Sequence, residues 1–304
     1  MASSEPIVHA CFEPNTGTWQ YVVADPASKA TVIIDPVLDF DPGKNAISTE
    51  TADGLLALVR EKGYTVERLL ETHAHADHLT ASKYLQSRLL SSDSKRPQVC
   101  IGRRIGEVQN RFAKRYGIPR AECDGAFDGL LDDDDVFQVG QLQAKAIHLP
   151  GHTPDHMGYM IGANVFCGDS LFNSDVGSAR CDFPGGDAHE LYNSVAKLFS
   201  LPAYYKIWTG HDYPPGGGAR GEPLAYMTVG EQKEHNKHLG AGTAEDAFVS
   251  WREGRDAALA EPRLMHQALQ FNIRAGKLPA PADGGGGDML LHVPVKIVGE
   301  VAAW

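Results

Sequence analysis

Three histidines and an aspartate are concentrated between positions 73 and 78, inside the stretch "ETHAHADHLTAS". Imidazole and carboxylate groups are common ligands of zinc, iron and manganese, whereas calcium prefers shells made only of oxygen atoms. Three more candidates follow strand-like segments further along the chain: His152 in "PGHTP", Asp169 in "FCGDS" and His211 in "TGHDY". Together these residues predict a metal site, and their number is sufficient for two ions.

The elements that must position these residues alternate between strand and helix. "TVIID" and "VERLLETH" predict β-strands, and the second delivers the histidines at its carboxyl end. "STETADGLLALVREKG" has apolar residues at helical spacing and ends at Gly63. From Val136 to Asp169 the pattern changes to hairpins, and "DAHELYNSVAKLFSLP" and "KIWTGHDY" then predict another helix and strand. Helices follow "PPGGGARGEP", and "MLLHVPVKIV" is predicted to be a final strand.

This alternation predicts an α/β fold with two sheets that carry helices on their outer faces. The polar clusters fall where strands end, which is where the sites of layered α/β folds are usually built. We expect residues 1–304 to form a single domain. Its core is predicted at about residues 7–215, and a C-terminal extension of helices and a final strand at about 216–304.

Composition narrows the functional classes. A net charge of −11 weighs against a nucleic-acid-binding protein, although a local basic pocket for a small anionic substrate stays compatible with it. The chain has neither an apolar run of membrane-spanning length nor a secretory or transit-type N-terminus. Five cysteines without a Cys-x-x-Cys pair favour reduced thiols. We therefore expect a cytoplasmic protein that acts on a small molecule, with a homodimer permitted but not required.

The segment "THAHADH" has the His-x-His-x-Asp-His form of the metallo-β-lactamase superfamily, and the order of His152, Asp169 and His211 fits it as well. This resemblance implies a four-layer αββα sandwich, here with a mostly helical C-terminal extension. The superfamily includes hydrolases, nucleases and oxygenases, so the fold alone does not determine the reaction.

A narrower resemblance runs from about residue 7 to 293. The chain resembles glutathione-dependent persulfide dioxygenases, most closely their bacterial-type branch, in "LETHAHADHLTAS", "GDSLFNSDVGSARCDFPGGDAHELY", "GHDYPP" and "QFNIRAGKLP". The segment "GSARCDFPGG" is the most informative, because hydroxyacylglutathione hydrolases share the metal motif but do not, as a family, carry this segment. The resemblance implies that the chain uses O2 to oxidise glutathione persulfide to sulfite and glutathione.

The same resemblance implies one Fe(II) per chain, held by His73, His152 and Asp169. Two histidines and one carboxylate leave three adjacent coordination positions open, and iron exchanges electrons with oxygen whereas zinc does not. Four residues would then orient ligands or take part in catalysis instead of binding a second metal: His75, Asp77, His78 and His211. Spacing alone does not separate this arrangement from a site with two zinc ions, in which these four residues are also ligands.

Substrate-binding candidates lie in and near "SARCDF" and "GHDY". Arg180 matches the family's arginine near the glutathione site, and its planar guanidinium suits a carboxylate. Asp182 is a further substrate-binding candidate, and the alternative for Arg180 is a structural salt bridge with this residue. Tyr213 is a candidate for both catalysis and substrate binding, and Cys181 is interpreted as a packing residue.

Two further pairs of residues have open or structural interpretations. The chain departs from the family's usual pattern after "PGHTP", where Asp155 and His156 replace small residues or a cysteine. These two could add hydrogen bonds near the metal or form a polar loop wall. His235 and His238 are interpreted as part of a solvated helix face.

Two other functions remain open from the sequence. The first is a hydrolase of glutathione thioesters, in which two zinc ions activate water. The second is a non-enzymatic binding or sensor protein, which the complete set of metal ligands disfavours.

Overall fold

A computed structural model of the protein describes residues 5–89, 95–213, 221–281 and 289–294. The strands in these ranges are β1 (Ile7–Glu13), β2 (Thr18–Ala24), β3 (Ala30–Ile34), β4 (Val37–Asp41), β5 (Ala46–Ser48), β6 (Thr65–Leu70), β7 (Leu79–Thr80), β8 (Gln98–Gly102), β9 (Gly129–Leu131), β10 (Val136–Val139), β11 (Leu142–His148), β12 (Met157–Ile161), β13 (Asn164–Gly168), β14 (Lys206–Thr209) and β15 (Tyr226–Thr228). The helices are α1 (Glu50–Lys62), α2 (Ser82–Arg88), α3 (Ile105–Tyr116), α4 (Arg120–Cys123), α5 (Ala188–Phe199), α6 (Val229–His235), α7 (Glu245–Asp256) and α8 (Met265–Asn272).

Two six-stranded sheets form the centre of the fold. The first has the strand order β1-β2-β3-β6-β8-β9, and the second has the order β10-β11-β12-β13-β14-β15. In the first sheet, the pairs β3–β6, β6–β8 and β8–β9 are parallel. In the second sheet, β13 and β14 are parallel, and all other pairs in the two sheets are antiparallel. The candidate metal ligands His73, Asp169 and His211 follow the carboxyl ends of β6, β13 and β14, as the sequence predicted.

The alternation of side chains along β2 explains how the layers are held together. Tyr21 and Val23 point into an apolar core between the two sheets, whereas Val22 and Ala24 pack in a second core under the helices. Because successive side chains of a strand point to opposite faces, a strand with apolar residues at every position is buried on both sides. The fold therefore requires a layer of helices outside each sheet.

The helices supply these outer layers. Leu55 and Val59 of α1 and Phe112 of α3 pack against the first sheet, and Leu191 of α5 and Phe248 of α7 pack against the second. The result is the αββα sandwich that the sequence predicted, followed by helices α6 to α8. No helix among the described residues is long and apolar enough to cross a membrane.

The C-terminal end differs from the prediction of a final strand. Residues 289–294 form no strand, and their one ladder contact is an isolated bridge between Pro281 and Met289. The rest of "MLLHVPVKIV" lies outside the described residues. Alternation of apolar residues suggested a strand here, but this segment has no partner strand among the described residues. All five cysteines are free thiols, as expected.

Helix α8 is tied directly to the histidine-rich loop by Asn272. Its side-chain amide donates hydrogen bonds to the carbonyl oxygens of His75 and His78, both at 2.8 Å. Its Oδ1 accepts the backbone N–H of Thr80 at 2.9 Å. One buried side chain thus satisfies three backbone groups of the segment that follows β6.

Replacement of Asn272 by alanine is expected to lower the free energy of unfolding by about 1–3 kcal/mol, because three buried backbone groups lose their partner. Urea unfolding measures the change. The matched control is Gln267→Ala in α8, since the Gln267 side chain makes no hydrogen bond with the described residues. Equal stability of the two variants would contradict the role assigned to Asn272.

Candidate metal centre and its cavity

The candidate site lies where the two sheets meet at one end of the sandwich. The first sheet contributes the loop that follows β6, and the second contributes residues at the ends of β13 and β14 and in the turn before β12. A direct connection fixes the two sheets to each other here. The N–H of Trp19 donates to the carbonyl of Gly210 at 2.8 Å, and Thr18 forms a β-bridge with His211. The site's geometry therefore depends on the packing of both sheets.

Six of the ligands predicted from the sequence form two groups that lie side by side. Ligand atoms of His73, His152 and Asp169 all lie within 4.8 Å of one another, and so do those of His75, Asp77 and His78. His211 connects the groups, because its Nε2 lies 3.0 Å from Asp77 Oδ2 and 3.5 Å from Asp169 Oδ1. The structure thus brings together all seven residues that the sequence singled out as candidate ligands.

Each of the five histidines has one ring nitrogen engaged by the surrounding protein. Backbone carbonyls accept hydrogen bonds from Nδ1 of three of them, which leaves Nε2 of these rings with its lone pair. These pairs are His78 with Leu79 at 3.2 Å, His152 with Arg180 at 2.7 Å and His211 with Gly17 at 3.3 Å. The remaining contacts are between Nδ1 of His73 and Thr72 Oγ1 at 3.0 Å and between Nε2 of His75 and Asp35 Oδ1 at 3.0 Å.

Several atoms that face the centre of the site are buried without a hydrogen-bond partner. They include Nε2 of His73 and His78, Nδ1 of His75 and Oδ1 of Asp169. A buried polar group that lacks a partner costs about 1–3 kcal/mol, so a cluster of such atoms is unfavourable unless a ligand satisfies them. Imidazole nitrogens and carboxylate oxygens that converge in this way fit a metal ion.

The protonation of His73 and His78 agrees with metal binding. Burial lowers the pKa of His73 well below its usual range and, with the help of nearby His75, lowers that of His78 to about 4. Both rings are therefore neutral at neutral pH, which is the form that binds a metal. Burial also disfavours the charged form of His211, but Asp169 and Asp77 outweigh it and raise its pKa to about 9. A metal ligated by His211 must displace a proton, so acidification weakens its binding.

Two carboxylates behind His75 were not singled out by the sequence. Asp35 is buried at the end of β3 and accepts hydrogen bonds from the N–H of Thr72 at 2.7 Å and from His75. Glu71 is also buried, with its Oε2 3.5 Å from His75 Nε2, and its Oε1 accepts a hydrogen bond from Ser82 at 2.5 Å. The position of Asp35 directly after a strand was the one signal available, since contact with His75 depends on the pairing of β3 with β6.

Asp155 and His156 are structural supports of the metal site and do not form an exposed loop wall. Both are fully buried. Asp155 Oδ2 accepts the N–H of Ala74 at 2.9 Å, and His156 Nε2 accepts the N–H of Asp169 at 3.0 Å. The His156 ring also stacks on His73, with 4.7 Å between ring centres. These contacts hold two of the three candidate iron ligands in place.

Arg180 forms the salt bridge that the sequence left as an alternative to substrate binding. Its Nε and Nη2 contact the two carboxylate oxygens of Asp182 at 2.5 Å each, and Nη2 also donates to the carbonyl of Ala260 at 3.0 Å. Most of its donors are therefore occupied, and a role of Arg180 or Asp182 in substrate binding stays a prediction. Burial raises the pKa of neighbouring Cys181, which keeps it a neutral thiol and agrees with a packing role.

The site opens into a cavity of about 570 Å³. Asp77, His152 and Asp169 line its inner end. Tyr213 also lines it and stacks on His211, with 5.6 Å between ring centres. The cavity thus gives a small molecule access to the candidate metal ligands.

The observed position of His238 contradicts the prediction that it lies on a solvated helix face. It lies beyond the end of α6, lines the cavity and stacks on Trp251, with 3.6 Å between ring centres. The helical spacing of His235 and His238 was misleading because α6 ends at His235.

Two glycines permit the close approach of the segments that carry Asp169 and His211. Gly168 adopts φ +49°, and a Cβ on it would lie 2.5 Å from Thr72 Oγ1. A Cβ on Gly210 would lie 2.3 Å from Asp169 Oδ1. Each glycine directly precedes a candidate ligand, so a side chain at either position would displace the groups that surround the metal.

Comparisons with known proteins agree with this geometry. The family described as the metallo-beta-lactamase superfamily matches residues 14–89 and 101–211. A beta-lactamase hydrolase-like protein from Xylella fastidiosa is 42% identical over 304 residues, which are 100% of this chain and 68% of that protein. The mitochondrial persulfide dioxygenase ETHE1 of Bos taurus is 30% identical over 279 residues, with 91% of each chain covered. The crystal structure of ETHE1 from Myxococcus xanthus has a TM-score of 0.69 and 29% identity, and the match covers 89% of this chain and 100% of the other.

Replacement of Gly210 by alanine is expected to weaken metal affinity at least about tenfold, because the new methyl group displaces the Asp169 carboxylate. Metal content after dialysis against a chelator measures this. Gly54→Ala in α1 is the control, since a Cβ there meets nothing within 4 Å. It should keep the wild-type metal content and gain about 0.5–1 kcal/mol of stability. Wild-type metal retention by Gly210→Ala would refute the steric argument.

Replacement of Asp169 by alanine is expected to abolish metal retention and catalytic turnover, because the only carboxylate in the group of His73, His152 and Asp169 is lost. Elemental analysis of the purified variant gives the metal content, and circular dichroism establishes that the fold is kept. The exposed carboxylate of Asp124, which pairs with Arg120, provides the control variant Asp124→Ala. A metal content of Asp169→Ala equal to that of the control would exclude Asp169 as a ligand.

Proposed function

Because this chain belongs to the metallo-β-lactamase superfamily, we propose that it is an enzyme with one Fe(II) that uses O2 to oxidise glutathione persulfide to sulfite and glutathione. The observation that carries this proposal is the compact group of His73, His152 and Asp169 at the inner end of the cavity. Two imidazoles and one carboxylate are the ligand set of many non-haem iron oxygenases, and they leave adjacent coordination positions open.

The surroundings of His75 differ from those of the three proposed iron ligands. The group formed by His73, His152 and Asp169 does not include His75, whose Nε2 faces two carboxylates, those of Asp35 and Glu71. We propose that this pair of carboxylates holds His75 as a support beside the iron. The similarity to two ETHE1 proteins, one of which is named a persulfide dioxygenase, supports the same reaction.

When bound, ferrous iron supplies the redox chemistry and the open coordination positions that reaction with O2 requires. The overall reaction consumes glutathione persulfide, O2 and water, and it yields glutathione, sulfite and two protons. The S–S bond breaks, the terminal sulfur is oxidised and O2 is reduced, so no external electron donor is needed.

The chain's own residues have two tasks in this proposal. His152 and Asp169 fix the centre at the inner end of the cavity, and Tyr213 lines the route to it. Asp77 and His211 are 3.0 Å apart at the same end and can hold and transfer a proton that the reaction releases. Burial opposes ionisation of Asp77, but His211 and His78 outweigh it and lower the pKa, so Asp77 is a carboxylate at neutral pH.

A second candidate function is hydrolysis of glutathione thioesters by a pair of zinc ions. It is favoured by the second ligand group of His75, Asp77 and His78, which lies next to the first and could hold another ion. The name of the Xylella fastidiosa relative also points towards hydrolysis. In this alternative, the two ions would activate water as the nucleophile.

Two measurements on the purified protein separate these functions. The dioxygenase requires about one iron per chain and oxygen uptake with glutathione persulfide, with one sulfite formed for each O2 consumed. The hydrolase requires two zinc ions per chain and cleavage of a glutathione thioester such as S-lactoylglutathione without oxygen uptake. The Asp169→Ala variant is the negative control in both assays. Two tightly bound zinc ions together with thioester cleavage would overturn the dioxygenase proposal.

A further inference from the structure

The mouth of the cavity differs in charge from the rest of the chain. The protein carries 28 basic and 39 acidic residues, for a net charge of −11. The carboxylates that line the cavity are Asp77 and Asp169, both near its inner end. Five cationic side chains also line the cavity: Arg180, Lys237, Arg252, Arg255 and Arg263. A cleft lined by charges of one sign concentrates ligands of the opposite sign.

The five cations differ in whether they already have a partner. Arg180 is paired with Asp182 and Arg252 with Asp256. Lys237, Arg255 and Arg263, by contrast, are exposed and form no ion pair with any residue in the described part of the chain. These three therefore bring uncompensated positive charge to one opening.

The lining of the cavity also contains a hydrogen-bond donor that has no partner. Arg252 is buried, and its Nε has no hydrogen-bond partner. Next to it, Trp251 and the stacked ring of His238 form a flat surface that also lines the cavity. A buried donor without a partner beside an aromatic surface fits a ligand that has both an acceptor and a chain to lie against the rings.

We infer that Lys237, Arg255 and Arg263 bind the carboxylates of glutathione. These contacts select anionic persulfides over small uncharged ones. This inference rests on the proposed function, in which the persulfide sulfur must reach the inner end of the cavity. Glutathione has two carboxylates, both remote from its sulfur. With the sulfur at the inner end, these groups extend towards the mouth, where the unpaired cations lie. Arg180 then acts through its backbone carbonyl, which holds His152, and through its pair with Asp182.

The triple variant Lys237→Ala/Arg255→Ala/Arg263→Ala tests this assignment. Its KM for glutathione persulfide is expected to rise at least about tenfold with a smaller effect on kcat, since the lost charges contact the carrier and not the reacting sulfur. For the persulfide of 2-mercaptoethanol, which has no carboxylate, KM should match that of the wild type. Restoration of charge in Lys237→Arg/Arg255→Lys/Arg263→Lys should recover most of the loss. The control is Arg104→Ala, an exposed cation outside the cavity.

Binding of unreacted glutathione to the metal-loaded protein, measured by calorimetry, tests the site independently of turnover. The triple variant should bind glutathione about tenfold more weakly, and the dimethyl ester of glutathione should bind wild type and variant alike. If the variant bound glutathione as tightly as the wild type, the inference would be overturned. If wild-type protein bound glutathione through these cations but took up no oxygen with its persulfide, the inference would stand and the dioxygenase function would fall.

Discussion

The structure depends on one constraint, which is that imidazoles and carboxylates must converge in the protein interior with several of their inward-facing atoms unpaired. Without a cation this arrangement is costly, because buried polar atoms such as His73 Nε2 and Asp169 Oδ1 have no hydrogen-bond partner. Binding of a metal satisfies them, so metal affinity and folding stability are thermodynamically linked. The outer ring nitrogens, in contrast, are held by the protein, which fixes each ring before a metal arrives.

This constraint explains features that lie several residues away from the ligands. Asp35 and Asn272 hold the histidine-rich loop from two sides, one at a strand end and one on the last helix. Gly168 and Gly210 allow segments of the second sheet to approach the first. Asp155 and His156 fill the remaining space with hydrogen bonds to Ala74 and Asp169. The ligands come from both sheets, so the apolar core between the sheets determines the distances within the site.

Charge is distributed to complement this centre. The inner end of the cavity contains carboxylates that a metal cation compensates, and its mouth contains three cations, Lys237, Arg255 and Arg263, that form no ion pair with the described residues. A net negative chain with this local reversal attracts small anions to one opening. In the proposed function, the metal centre determines the reaction, and the cations at the mouth determine which substrate binds. Different residues therefore control reaction and substrate choice.

Much of the fold could be predicted locally. The apolar residues of β3 and β6, the helical spacing that ends at Gly63 and the polar residues at strand ends indicated a layered sandwich, because these patterns reflect burial and turn geometry within short segments. The prediction of a final strand was wrong over residues 289–294. A strand needs a partner strand, and the local sequence pattern does not reveal one. His238 was misassigned for a related reason, because helical spacing does not tell where a helix ends.

The sequence by itself determined the residue types of the site, because the ligand-type residues that follow β6 and the glycines before Asp169 and His211 are encoded in short contiguous stretches. Only the tertiary structure decided which residues surround them. The contact of Asp35 with His75, the hold of Asn272 on the loop and the pairing of Arg180 with Asp182 depend on side-chain orientation and on pairing between distant segments. The same holds for the cations at the cavity mouth, since α7 and the segment that follows it come near the metal ligands only when the second sheet is packed.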